Sequence, residues 1–175
     1  MNNKFGKIIK TKSPDYIVRL SKLVEVQDVE TVVLWCISYS EMNLLPIIKE
    51  HFIEETSVER AISMVKLCLS GENSLSKTKK CLLHEQQRLS NYSTNPTIEI
   101  AAKAILFSLS SVYNSSAALS LAFIGTTAIL YKKYGSNKSQ NFYNLFAPTI
   151  WFDMEKELLK LSFKNGKSQL ITKSY

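Results

Sequence analysis

Ala104-Ile-Leu-Phe-Ser-Leu-Ser-Ser-Val-Tyr-Asn-Ser-Ser-Ala-Ala-Leu-Ser-Leu-Ala-Phe-Ile-Gly-Thr-Thr-Ala-Ile-Leu-Tyr131 carries no charge between Lys103 and Lys132, and its reading decides the fold. These 28 residues are enough for one membrane crossing, since about 20 apolar residues span the hydrocarbon layer. The centre argues otherwise. Ser108 to Ser116 is rich in hydroxyl side chains, and Asn114 falls near the middle, where a spanning helix tolerates polarity least. The stretch therefore reads as the buried centre of a helical protein: a helix, or a helix pair broken at Asn114-Ser115-Ser116. Such side chains compete for backbone hydrogen bonds and favour caps.

Outward from that centre the signals are helical on both sides. Ser13-Pro14-Asp15 offers an N-cap, a proline for the first helical position and an acid for the first turn, ahead of the stripe Ile17, Leu20, Leu23 and Val24. Asp28 caps a second pattern through Val29, Val32, Val33, Cys36 and Ile37, and Pro46 forces a kink or restart before Ile47, Ile48 and Phe52. Thr56-Ser57-Val58-Glu59 has capping-box spacing and opens the stripe Val58, Ile62, Val65 and Leu69, which Ser70-Gly71 closes. Ser74 starts a helix expected to turn Leu75, Leu82, Leu83 and Leu89 inward. Asn95-Pro96 opens the central segment and Gly135-Ser136-Asn137 ends it.

A last pattern runs from about Ser139 to Ser162, with Phe142, Leu145, Phe146, Ile150, Met154, Leu158 and Leu159 expected inside and Pro148 marking a kink or restart. No strand alternation of useful length appears. The expectation is one all-α domain, a compact bundle of about six to eight helices over residues 13–162 with the central apolar helices buried. Basic, flexible tails are expected at 1–12 and 163–175.

Net charge is +7, and it sits in the tails. Lys4, Lys7, Lys10 and Lys12 at one end and Lys164, Lys167 and Lys173 at the other account for all of it. The body is neutral but polarised. From Glu25 to Glu59 there are eight acids against Lys49 alone, and from Arg60 to Lys138 ten bases against three acids. Two oppositely charged sectors suit recognition by complementary potential, although solvated helix faces give the same pattern. A nucleic-acid role through the tails and Lys77, Lys79 and Lys80 lacks a reading helix or stacking platform and is disfavoured.

Three cysteines, Cys36, Cys68 and Cys81, are too few and too scattered for a disulfide framework. The first residues have no apolar leader core, so a reducing cytoplasm is the expected compartment, with no membrane anchoring. Cys81 and His84, with Cys68 and then His51 or Cys36, give only one close ligand pair, and structural zinc sites normally show two. Glycine-rich phosphate loops and nucleophile elbows are missing. No catalytic residue, metal or cofactor is therefore assigned.

Leu34-Trp35 through Glu41, Leu44-Leu45-Pro46, Arg60-Ala61-Ile62 and Ser70-Gly71-Glu72 resemble, in order and spacing, the opening of a bacterial family of immunity proteins, the Imm-5-like group. His84 and Arg88 match a histidine and an arginine of that family's next helix, and Ala101 to Leu130 has the character of its alanine-rich central pair. The similarity covers about residues 32–150. Ser57-Val58 stands where the family has Arg-Pro, Cys68 or Leu69 where it has a tryptophan, and Asn114 and Ser116 replace central histidines.

The resemblance implies a non-enzymatic domain that neutralises a cognate bacterial toxin by stoichiometric binding. The acidic residues Glu50, Glu54, Glu55 and Glu59 would face a basic toxin, and Glu41, His84, Arg88 and Asn114 would form a polar cluster or pocket. The alternatives are a small-ligand or metal-binding module with a pocket lined by His84, Arg88, Tyr113 and Asn114, and a nucleic-acid accessory protein.

Overall fold

The computed structural model of the chain describes residues 14–51, 57–92 and 95–164. Most of the described residues are helical, and none is in a strand. Both basic tails, residues 1–12 and 165–175, lie outside them, as do Phe52 and Thr56; Phe163 and Lys164 form the end of the last helix.

Helix α1 (Asp15–Glu25) buries Leu20, Leu23 and Val24. Pro14 is its cap and not its first helical residue: with ψ near 145° its backbone is still extended. Helix α2 (Val29–Asn43) starts at Asp28, whose carboxylate accepts from the Thr31 N–H and hydroxyl, both at 2.9 Å. Pro46 restarts the chain as the short α3 (Leu45–Lys49), where the missing N–H falls in the first turn and costs nothing. Val29–Lys49 is, among the described residues, apolar and long enough to cross a membrane, but 61% of that window is buried inside the protein.

Helices α4 (Ser57–Leu69) and α5 (Leu75–Gln87) form an antiparallel hairpin. Gly71, at φ +80°, makes the turn that residues with a Cβ rarely adopt. Ser74 caps α5 by accepting from the Lys77 N–H at 3.3 Å. The inward stripe of α5 differs from expectation. Leu75 and Leu83 are exposed, and Thr78, Leu82 and Glu85 are the buried residues.

Helix α6 (Pro96–Ser108), capped by Asn95, is the centre of the molecule and packs against α2, α3, α4 and α5. Ala101, Ala102 and Ala104 are fully buried, and their small size lets neighbouring helices come close. The uncharged stretch is thus internal, but it is not two plain helices. After α6 come 3₁₀ turns at Leu109–Val112 and Ser115–Ala118, broken at Asn114, then a π-helical turn at Leu121–Gly125, then α7 (Thr126–Tyr134). Gly125 allows the approach of the π turn to its neighbours: a Cβ there would meet Leu44 at 3.4 Å and Ala104 at 3.8 Å.

Helix α8 (Gln140–Lys164) runs on through Pro148 without a restart. It is clasped to the bundle by Trp35 Nε1, which donates to the Met154 carbonyl at 3.0 Å, and by Arg19, whose Nε and Nη2 donate to Glu155 at 3.0 and 2.7 Å. Its inward residues are Tyr143, Trp151, Met154 and Leu158; Leu145, expected inside, is 75% exposed.

Candidate functional site

The α4–α5 hairpin gathers the most concentrated ionic chemistry among the described residues. Glu85 lies on the same stripe of α5 as Thr78 and Leu82, so the helix turns its carboxylate into the protein, where it is 2% exposed. A buried carboxylate needs compensating charge. Arg60 of α4 places Nη1 3.4 Å from Oε1, His84 places Nδ1 3.5 Å from the same oxygen, and Arg88 reaches Oε2 only to 3.9 Å. Oε2 has no hydrogen-bond partner. The three basic side chains remain between 43% and 63% exposed, so each can turn toward a partner.

His84 and Arg88, chosen from sequence, are thus brought together, but the acid they share is Glu85. Glu41 is on α2 and binds Lys66 of α4 at 2.6 Å. Asn114 lies in the break between the 3₁₀ turns, where its Oδ1 accepts from the Ser116 hydroxyl at 2.8 Å. The sequence did hold a signal for Glu85, because it stands three residues after Leu82 and four before Leu89, on an apolar stripe.

Behind this cluster α5 is fixed to the core by Gln86, whose Nε2 donates to the Leu106 carbonyl and to Ser110 Oγ, each at 3.0 Å. The Tyr113 hydroxyl donates to the same Ser110 oxygen at 2.9 Å, and Lys79 lies over the Tyr113 ring at 5.1 Å. Lys77, Lys79 and Lys80 are exposed along α5.

The acidic residues are largely engaged within the chain. Glu50 binds Lys132, and Glu59 binds Lys49 at 2.8 Å. Glu54 and Glu55 lie outside the described residues. The opposite sectors of the sequence therefore meet in the fold, through Glu41–Lys66 and Glu50–Lys132.

The cysteines Cys36, Cys68 and Cys81 are free. Burial pushes the Cys36 thiol up to about 12, against the lowering effect of the Ser111 and Ser108 hydroxyls. Cys81 is raised by burial and then by the Glu85 charge, with Arg60 opposing. Thiols of this kind stay protonated at neutral pH and are poor nucleophiles and poor metal ligands. Among the described residues no three metal-ligating side chains converge.

On another side of the molecule a cavity of about 710 Å³ opens between α1, α6, α7 and α8, reaching from Pro14 to Trp151. None of His84, Arg88, Tyr113 and Asn114 lines it. Trp151 is at its back, in edge contact with Phe123 (ring centroids 4.9 Å apart) and Tyr16 (5.5 Å).

No curated protein and no solved structure matches the chain. A family model does: that of the Imm-5 like putative immunity protein aligns with residues 22–144, from within α1 to the first turns of α8. That span includes the α4–α5 hairpin with Arg60, His84, Glu85 and Arg88, and most of the buried centre, so the chain belongs to the Imm-5 like putative immunity protein family.

Proposed function

We propose that this chain protects a bacterial cell by binding a cognate protein toxin one to one and covering its active surface, without turning anything over. The observation that carries the reading is the family match over residues 22–144. The chemistry of the chain supports it. The cysteines are free, which suits a reducing cytoplasm, and burial suppresses thiol ionisation at Cys36 and Cys81.

The acidic residues Glu50, Glu54, Glu55 and Glu59 are the proposed contact for a basic toxin. Glu50 and Glu59 already hold lysines, so an incoming arginine or lysine replaces an internal partner and does not meet a bare charge. Exchange of that kind contributes little net affinity but speeds encounter and enforces register. The exposed guanidinium groups of Arg60 and Arg88, with the His84 imidazole between them, give the same partner a second contact of opposite sign.

Co-expression with a toxin encoded in an adjoining reading frame tests the reading. Growth is expected to be restored, and calorimetry is expected to give a one-to-one complex whose association slows with salt. Glu50→Lys with Glu59→Lys should slow association about tenfold at low salt. Absence of binding to every neighbouring toxin product overturns it.

A further inference from the structure

Helix α8 is apolar on two faces, and the bundle covers only one of them. Tyr143, Trp151, Met154 and Leu158 point inward. The opposite face carries Leu145, Phe152 and Phe163, which are 75%, 47% and 59% exposed. With Thr149, Lys156 and the half-buried Leu159 they recur at helical spacing and form one stripe. From Leu145 to Phe163 it is about 27 Å long at the rise of an α-helix. Single exposed leucines or phenylalanines are ordinary, but a row of them along one helix marks a contact surface. The stripe begins directly after the family match ends at residue 144, so it stands apart from the immunity reading.

The stripe is complementary to itself. Along the helix from Met154, Leu145 and Phe163 stand nine residues to either side, Thr149 and Leu159 five, and Phe152 and Lys156 two. Two copies laid antiparallel about a two-fold axis level with Met154 therefore set Leu145 against the partner's Phe163 and Phe152 against the partner's Lys156. The charges agree with that register. Lys156 holds its Nζ 4.4 Å from the centre of the Phe152 ring, so its stem covers apolar surface while the ammonium reaches the rim. In the antiparallel pair this ammonium comes level with the partner's Asp153, which borders the stripe and is exposed. A parallel pair would instead set lysine beside lysine and aspartate beside aspartate. Asp153 also disfavours an anionic membrane as the occupant, because the lipid surface repels it.

We propose that the outer face of α8 is the interface of an antiparallel homodimer. Leu145, Phe152 and Phe163 of one copy pack on the same stripe of a second, and Lys156 of each pairs with Asp153 of the other. The apolar row supplies the attraction, and the two reciprocal charge pairs fix direction and register.

The test is sedimentation equilibrium on the full chain, read with no toxin present, so its outcome is separate from that of the immunity reading. Twice the chain mass is expected at micromolar concentration, with dissociation on dilution. Phe152→Lys sets like charges opposite one another and should weaken the dimer at least about tenfold, with an unchanged circular dichroism spectrum because the side chain is half exposed. The register is tested by Leu145→Glu and Phe163→Lys. Each alone should weaken the dimer, and the two together should dimerise at least about threefold more tightly than either. The new charges can meet only across the two-fold axis, since within one chain they stand about 27 Å apart. The proposal is overturned if the chain stays monomeric up to hundreds of micromolar, or if Phe152→Lys leaves a dimer intact. A double variant no tighter than the single ones would equally overturn it.

Discussion

The hairpin α4–α5 and the groove between α1, α7 and α8 solve opposite problems. In the hairpin one buried carboxylate, Glu85, draws Arg60, His84 and Arg88 around it, and those side chains still reach solvent. In the groove the wall is uncharged, its polar groups are neutral hydroxyls and amides, and the hydroxyl of Thr126 is buried with no hydrogen-bond partner. Charge tolerates poor geometry, because Coulomb attraction falls slowly with distance; a neutral hydroxyl gains nothing beyond hydrogen-bond range. The hairpin is therefore stable as it stands although its contacts are 3.4 to 3.9 Å long. The Thr126 hydroxyl stays unpaired.

The largest effect that separates the two regions is expected at Trp151. It is 3% exposed, and it joins the groove to the core through Phe123 and Tyr16. Trp151→Ala removes one of the largest side chains of α8 and leaves space that the flanking helices fill only in part, at a cost of about 3–5 kcal/mol in urea unfolding. A loss under about 1 kcal/mol would mean that the groove is an appendage and not a wall of the core.

Much of this was readable beforehand and the remainder was not, for identifiable reasons. Caps at Asp28, Ser74 and Asn95, the restart at Pro46 and the turn at Gly71 all stand where local chemistry placed them, because each depends on a few adjacent residues. The stripes of α5 and α8 were harder. Leucines at 75, 83 and 145 were expected inside, yet each is exposed, since the neighbouring helices settle which face of an apolar-rich helix is covered. The π turn before Thr126 has no sequence signature, and neither has an unpaired hydroxyl. Of the residues chosen for a polar cluster, His84 and Arg88 meet, but Glu41 finds Lys66 from across the interface. Such pairing depends on how α2 lies against α4, which residue spacing does not encode.

A second, intermediate effect tests the hairpin itself. Arg60→Ala withdraws the closest guanidinium from Glu85, leaving His84 on α5 and Arg88 just past its end to close in. Because the carboxylate is buried and one of its oxygens is already unpaired, a cost of about 1–2 kcal/mol is expected by urea unfolding. The guanidinium is itself half exposed, which keeps the figure below that of a fully buried pair.

The smallest effect sharpens the comparison from inside the same helix. Lys66 also lies on α4, and its contact with Glu41 is shorter, at 2.6 Å, than that of Arg60 with Glu85. Distance alone would rank it the stronger pair. Burial reverses the order: Glu41 is 38% exposed and Lys66 51%, so water and salt replace most of what either loses. Lys66→Ala should therefore cost no more than about 0.5 kcal/mol, and that cost should vanish in about 1 M salt, whereas the Arg60→Ala deficit should largely persist. If Lys66→Ala proved the more damaging of the two, burial of Glu85 would not be what organises the hairpin, and the cations around it would be ordinary surface charge.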